Sequence, residues 1–322
     1  MRAARISSLE GPQSVTVEEV ETPPVEPGHV LIDVHAAGVN FPDVLQTRGL
    51  YQMKPDLPFT PGSEVAGVVR EVGAGAPFAA GDRVVAFSII GGCAESVAVP
   101  APLVTKLPDA IDFVTAAALP MNYLTVHFAL VRRARLERGE TVLVHGAAGG
   151  IGTAAIQMAK ALGARAIAVV STEEKGRVAK EAGADEAILA DGFLSRAKEL
   201  TNDRGVDVIV DPVGGDRFTD SLRSLAPEGR LLVIGFTGGT IPEVKVNRLL
   251  LGNTSVVGVG WGAFWMNDPG YLASQWAEVL PLVEAGALTP PIGSTHPLDE
   301  VAAALAEIDE RRAVGKVILR VR

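Results

Sequence analysis

A single cysteine, Cys93, stands in 322 residues, so no disulfide can close within the chain. Set in GGCAES, it reads as a small buried packing residue. The five histidines are scattered without the spacing of metal ligands. No run of basic residues occurs and the net charge is -9, which excludes the electrostatic footprint of a phosphate-backbone binder. Nucleic acid is therefore not an expected partner. Runs of about 18 apolar residues are absent, and the N-terminus MRAARISSLEG lacks the apolar centre of a signal peptide. The expectation is a soluble cytoplasmic protein with no membrane partner.

What is present points to folded domains. Hydrophobic residues make up 48% of the chain and charged ones 21%, enough for a substantial core and too few charges for disorder. At roughly 150 residues per domain, the length suggests two domains. Up to about residue 120 the texture is short Val- and Ile-rich runs broken by Gly and Pro: SVTVEEV, HVLIDVHAAGV, VAGVVREVG and DRVVAFSII. That pattern suits a compact β-barrel or roll. Beyond it the pattern changes to strands alternating with helical segments: TVLVHG, RAIAVVS, EAILAD, VDVIVD, RLLVIGF and a sixth, TSVVGVG. Such alternation implies parallel strands joined by right-handed crossovers in a doubly wound α/β sheet. From about Trp261 onward the texture is mixed, with two helices and a closing strand GKVILRV, and this part is expected to rejoin the first domain. The expected boundaries are 1–122 with 263–322 for the first domain and 123–262 for the second.

The stretch VLVHGAAGGIGTAAIQMAK carries the first chemical signal. Gly146, Gly149 and Gly152 lie three residues apart between a strand and a helix, with Gly150 and Ile151 among them. A turn without side chains lets backbone N–H groups and the positive helix end approach a pyrophosphate. A dinucleotide is the expected ligand. After the second strand an NAD-binding protein would carry an acidic residue for the ribose hydroxyls, whereas VVSTEEKGR places Ser171 there and Lys175 one turn into the next helix. A cation suits a 2′-phosphate, so the expected cofactor is NADPH. The competing role for Lys175 is that of a solvated helix charge balancing Glu173 and Glu174.

The residues from Leu143 to Lys160, LVHGAAGGIGTAAIQMAK, resemble the signature of the quinone oxidoreductase and zeta-crystallin branch of the medium-chain dehydrogenase/reductase superfamily. HAAGVNFPDVLQTRGLY, PFTPGSEVAGVV, ALPMNYLTVHFAL and RRAVGKVIL extend the likeness over the whole chain. The resemblance implies a GroES-like β-barrel domain, a Rossmann domain between its two portions, a cofactor in the cleft, and a homodimer built through the edge strand at about Ser255 to Gly260. Zinc-dependent members hold their metal through a Cys after the first GV and a His in a GHE motif; here Asn40 and Ser63 stand in those places. No metal is expected, because thiolate and imidazole ligands are missing there. Glu64 is expected to be a buried structural carboxylate.

Without a metal, the oxygen that gathers negative charge on hydride transfer needs hydrogen-bond donors. Quinones and α,β-unsaturated carbonyl compounds are the expected acceptors. Related enoyl-thioester reductases use the tyrosine ending an N-x-x-D-x-x-x-x-x-G-x-Y pattern, matched here by Asn40, Asp43, Gly49 and Tyr51. Tyr51 is the expected donor and Asn40 the residue nearest nicotinamide and substrate. Against this, Tyr51 could lie on the barrel surface, and Asp43 fits a helix cap better than a general acid. By resemblance Thr125 hydrogen-bonds the nicotinamide amide. Tyr123 either lines the pocket or fills core, and His127 reads as structural. Trp261, Phe264 and Trp265 are expected to wall a substrate pocket, to sit at the dimer contact, or both. Strand ends in an open sheet bind ligands, so Val213 and Gly235, Phe236 and Thr237 are expected along the cofactor. Ala190 stands where the family often has a tyrosine, and Arg311 is expected to compensate. The expected activity is NADPH-dependent reduction of quinones or conjugated carbonyls; enoyl-thioester or 2-alkenal reduction and a non-enzymatic NADPH-binding role are the alternatives.

Overall fold

The computed structural model describes residues 1–268 and 270–322. The chain divides into two compact units. One comprises Met1–Met121 and Ile292–Arg322 with the stretch ending at Ala277; the other comprises Asn122–Asp268 and Glu278–Pro291. The helix Gly270–Glu284, expected whole in the first domain, is thus shared between them.

The first unit is organised around the eleven-residue strand His29–Val39, whose alternating and then continuous apolar residues suit a strand covered on both faces. It pairs antiparallel with Glu64–Val72, with Ser96–Pro100 and with Lys316–Arg320. Arg83–Phe87 and Val104–Lys106 extend the sheet on one side, and Ile292–Pro297 lies parallel to Lys316–Arg320 on the other. Register has a chemical consequence. Gly38 is opposite both Glu64 and Ile318, and Val39 is opposite Val317, so the sheet gathers Asn40, Glu64 and Lys316 at one end. Gly38 is required there, since a Cβ would overlap the Glu64 carboxylate and meet the Ala117 carbonyl at 2.6 Å.

The second unit is a six-stranded, all-parallel sheet in the order Glu186–Leu189, Arg165–Val170, Thr141–His145, Val206–Asp211, Leu225–Val233, Ser255–Gly258. All six expected strands are present in the expected sequence. Their runs are apolar throughout because helices cover both faces, and Leu143, Ile167, Ile209 and Leu231 are fully buried between them. Each such side chain stabilises the fold by about 1.5–3 kcal/mol relative to exposure. Strand order reverses between Thr141–His145 and Val206–Asp211, and ligands of open sheets bind at the carboxyl ends beside such a reversal.

Candidate active site

In the second unit the reversal point carries the glycine turn. Each glycine there has its own cause. Gly146 has φ +58°, a left-handed conformation that ordinary side chains resist. A Cβ on Gly152 would overlap the Gly146 carbonyl and meet the Ala147 Cα at 2.5 Å, so this glycine lets the helix pack on the turn. A Cβ on Gly149 would meet only the Gly146 oxygen, at an ordinary 3.5 Å. The protein itself does not require a bare backbone at Gly149. Gly149 is the N-cap of the helix Gly150–Ala161 and supplies no capping side chain, so the first-turn N–H groups of Gly150, Ile151 and Gly152 face outward for an anion.

The neighbouring strand ends close around this turn. Asp211 is buried, and its carboxylate accepts the N–H groups of Val213 and Gly214, both at 2.9 Å. Thr237 donates its N–H and its hydroxyl to Pro212 O, each at 3.1 Å, and Gly238 donates to Val213 O. Val213, Gly235, Phe236 and Thr237 therefore belong to two interlocked loops, and Val213 reaches to within 3.2 Å of a Cβ built on Gly146. Strand Leu225–Val233 ends two residues before Gly235, so this contact is made from a loop and not from the strand. Ser171 is exposed directly after strand Arg165–Val170. Thr172 caps the next helix by accepting the Lys175 N–H at 3.2 Å, which fixes Lys175 in its first turn. An open groove of about 370 Å³ follows that helix and the edge strand, lined by Val170, Gly176, Arg177 and Ile188; no residue of the glycine turn contributes to it.

In the first unit the sheet end gathered by register is a buried polar cluster. Glu64 has no exposed surface, and Lys316 forms an ion pair with it. The Asn40 carboxamide is engaged at both ends: Nδ2 donates to Glu64 Oε1 at 2.8 Å, and Oδ1 accepts from Lys316 Nζ at 2.6 Å. The second Glu64 oxygen accepts the Met121 N–H at 2.6 Å. The Asn40 amide, expected nearest nicotinamide and substrate, is thus held at both ends within this buried network. Glu64 is the buried structural carboxylate expected from the sequence. Lys316 was not singled out by sequence reasoning, although GKVIL was quoted as part of the resemblance; it lies 276 residues from Asn40, and no local pattern links the two.

Asp43 closes the N-terminus of the helix Phe41–Gln46, accepting the Asn40 N–H at 2.8 Å. Burial pushes its carboxyl up to about 7, against the opposing pull of the Asn40 amide and Lys316. Tyr51 follows this helix, half-buried, and among the described residues its hydroxyl has no hydrogen-bond partner in the protein. Burial, and after it the charge of Asp43, holds the Tyr51 phenol above its ordinary value. It stays protonated at neutral pH and can donate. Cys93 is buried as expected, its thiol pushed up by burial.

Three pocket expectations change. Tyr123 is 1% exposed, and its hydroxyl donates to Gln157 Oε1 at 2.7 Å, while Gln157 clasps the backbone of Thr289 through both amide atoms. Tyr123 is core. Trp261 and Trp265 are buried within the single chain, their rings 6.0 Å apart, so neither presents a face to a second copy. Phe264, half-buried, stacks near Phe128 at 5.1 Å beneath the Arg132 guanidinium at 4.5 Å. His127 is buried beside Glu278. Arg311 lies in the exposed turn after the helix Val301–Asp309, with φ +59°.

Residues 26–109 match the alcohol dehydrogenase GroES-like domain and residues 150–285 the zinc-binding dehydrogenase family. The chain is 40% identical to quinone oxidoreductase-like protein 2 of Rattus norvegicus over 99% of its own length and 91% of the relative's. The chain belongs to the quinone oxidoreductase branch of the medium-chain dehydrogenase/reductase superfamily. The structure of a probable oxidoreductase from Mycobacterium abscessus superimposes with TM-score 0.92 at 46% identity, covering 100% of this chain and 99% of that one. Escherichia coli quinone oxidoreductase, solved in complex with NADPH, gives 0.91 at 30% identity with both chains fully covered. The two units are therefore the GroES-like and Rossmann-type parts of this oxidoreductase fold. Zinc, which the second family's description names, does not suit the residues present. Asn40 and Ser63 are weak donors, and the Lys316 ammonium already holds Glu64 and would repel a dication.

Proposed function

We propose that the protein reduces quinones or other conjugated carbonyl compounds with NADPH. The glycine turn fits the pyrophosphate, because the helix offers uncapped N–H groups and Gly149 is bare where the protein's own packing does not demand it. Lys175 and Ser171 would take the 2′-phosphate, the first as cation and the second as a neutral hydroxyl that does not repel it. Val213, Gly235, Phe236 and Thr237 would follow the nucleotide through backbone groups, Thr125 would hold the nicotinamide amide, and Arg311 would add a cation. When bound, the reduced nicotinamide supplies a hydride to the conjugated acceptor.

The chain's own part in the chemistry is a proton donor. The single observation that carries this is the Tyr51 hydroxyl, half-buried, protonated and without a protein partner. It would donate to the acceptor oxygen as charge gathers there, and its partial exposure lets solvent return the proton. Phe264 is the one member of the aromatic cluster with enough exposed surface to serve an apolar substrate. Association of two copies is supported by a different surface: Leu250 and Leu251 are 76% and 79% exposed beside the strand Ser255–Gly258, which among the described residues pairs with one neighbour. Both features suit a second copy adding its own edge strand.

The test is NADPH oxidation with 1,4-benzoquinone, naphthoquinones, crotonyl thioesters and 2-alkenals. Turnover of quinones with Tyr51→Phe slowed about 10²-fold supports the reading, at the size of one lost oxyanion donor. NADPH binding with no turnover on any acceptor overturns it in favour of a binding protein. Faster thioester than quinone turnover moves the substrate class to enoyl reduction.

A further inference from the structure

The space that a side chain at Gly150 would occupy is filled by Asn122. A Cβ built on Gly150 overlaps the Asn122 Nδ2 and meets its Cγ at 3.1 Å and Oδ1 at 3.3 Å. The amide thus sits on the first turn of the twelve-residue helix Gly150–Ala161, the helix that begins at the glycine turn. Asn122 is 5% exposed, and its carboxamide has no hydrogen-bond partner in the protein among the described residues. Neither of its polar atoms is sealed from solvent. An amide without a protein partner that opens onto a helix N-terminus is placed to meet an anion that arrives there.

Thr125, three residues on, is likewise buried with an unpartnered hydroxyl. Asn122 lies in the π-helical turn Pro120–Leu124 and Thr125 opens the α-helical turn that follows it. We infer that the Asn122 side-chain N–H₂ donates to the pyrophosphate of the bound dinucleotide, adding a neutral side-chain donor to the backbone N–H groups of the helix. The inference rests on the reading that a dinucleotide occupies this turn. It also gives Gly150 a reason: any side chain there would displace the donor.

Three ligands separate the contacts: NADPH, 2′-phospho-ADP-ribose, which keeps the pyrophosphate but lacks nicotinamide, and 2′,5′-ADP, which lacks the second phosphate. Their affinities are measured by titration calorimetry for the parent protein, Asn122→Ala and Asn122→Asp. A hydrogen bond to a charged group predicts about tenfold weaker binding of the first two by Asn122→Ala, and a larger loss for Asn122→Asp, whose carboxylate faces phosphate. Binding of 2′,5′-ADP should change less than twofold, which also shows that the unit is folded. The isosteric Asn122→Asp keeps the test open if the alanine variant fails to fold. Equal affinities throughout overturn the inference, as does a loss confined to NADPH or one shared in proportion by all three. If the parent binds none of the three, the dinucleotide reading itself falls, and the inference with it.

Discussion

Asp43→Asn should change how stability depends on pH, and the size of the change follows from the burial of Asp43. The carboxyl titrates at about 7 in the folded protein against 3.8 ordinarily, with burial as the main cause. A carboxyl raised on folding binds its proton more tightly in the folded state, so the protonated form stabilises the fold. That contribution is complete below pH 3.8 and is lost as pH rises through 7. At about 1.36 kcal/mol per pH unit it amounts to about 4 kcal/mol in all, of which roughly 2 kcal/mol falls between pH 5.5 and 8. Asparagine keeps an acceptor for the Asn40 N–H and does not titrate. Relative to the parent, the variant should therefore gain about 2 kcal/mol between pH 5.5 and 8, read from urea denaturation by circular dichroism. His145, buried with its Nε2 on Ser221 at 2.8 Å, has its imidazole pushed down by burial and contributes a slope of opposite sign. It is present in both proteins and cancels from the difference. Parallel stability curves for parent and variant across this range would refute the burial argument for Asp43.

Lys316→Met should destabilise the protein by about 3–5 kcal/mol, because it removes one partner of a buried ion pair and leaves Glu64 without its cation. Adding Glu64→Gln should recover more than half of that loss in the same denaturation assay; a double variant no more stable than the single would contradict the pairing. Gly149→Ala should melt within a few degrees of the parent yet bind NADPH at least tenfold more weakly, whereas Gly152→Ala should lose stability outright, since only the second Cβ overlaps backbone while the first meets it at an ordinary 3.5 Å. Equal loss of melting temperature in both would remove the distinction. If two copies associate as proposed, the parent should run as a dimer in sedimentation equilibrium and replacement of Leu250 and Leu251 together by Asp should give a monomer; an unchanged mass would exclude that surface from the contact.

Strands and the nucleotide turn were legible because their signals are local. Val- and Ile-rich runs at intervals announce strands, and glycines spaced between a strand and a helix announce a turn that a backbone can share with phosphate. What stayed hidden depends on register. Asn40 was singled out from its place after a GV pair, but whether its amide is free depends on Lys316, brought beside it by the pairing of Val39 with Val317. Tyr123 presented the same ambiguity, resolved by Gln157 from the next helix and not by anything in MNYLTV. Asn122 sits in the same six residues and gave no signal at all, because its meaning lies in the side chain that Gly150 lacks. The tryptophans were recognised as a cluster, yet a sequence does not say which face of an aromatic cluster is already covered.

The arrangement at the sheet end bears on how an acceptor could be activated. A buried carboxylate needs a cation. Lys316 supplies the positive charge from within the chain, but its ammonium is committed to Glu64 and Asn40. Charge balance is thereby separated from substrate activation. In the proposed function the negative charge on the acceptor is met by a group outside the network, and Tyr51 has the required properties: a hydroxyl without a protein partner among the described residues, partial exposure, and a proton that burial and Asp43 hold in place. A donor of that kind stabilises an oxygen already poised to take charge, as in a quinone or enone, far better than it activates an unconjugated alcohol or ketone. The proposed substrate class thus follows from which cation the site uses and how completely that cation is occupied.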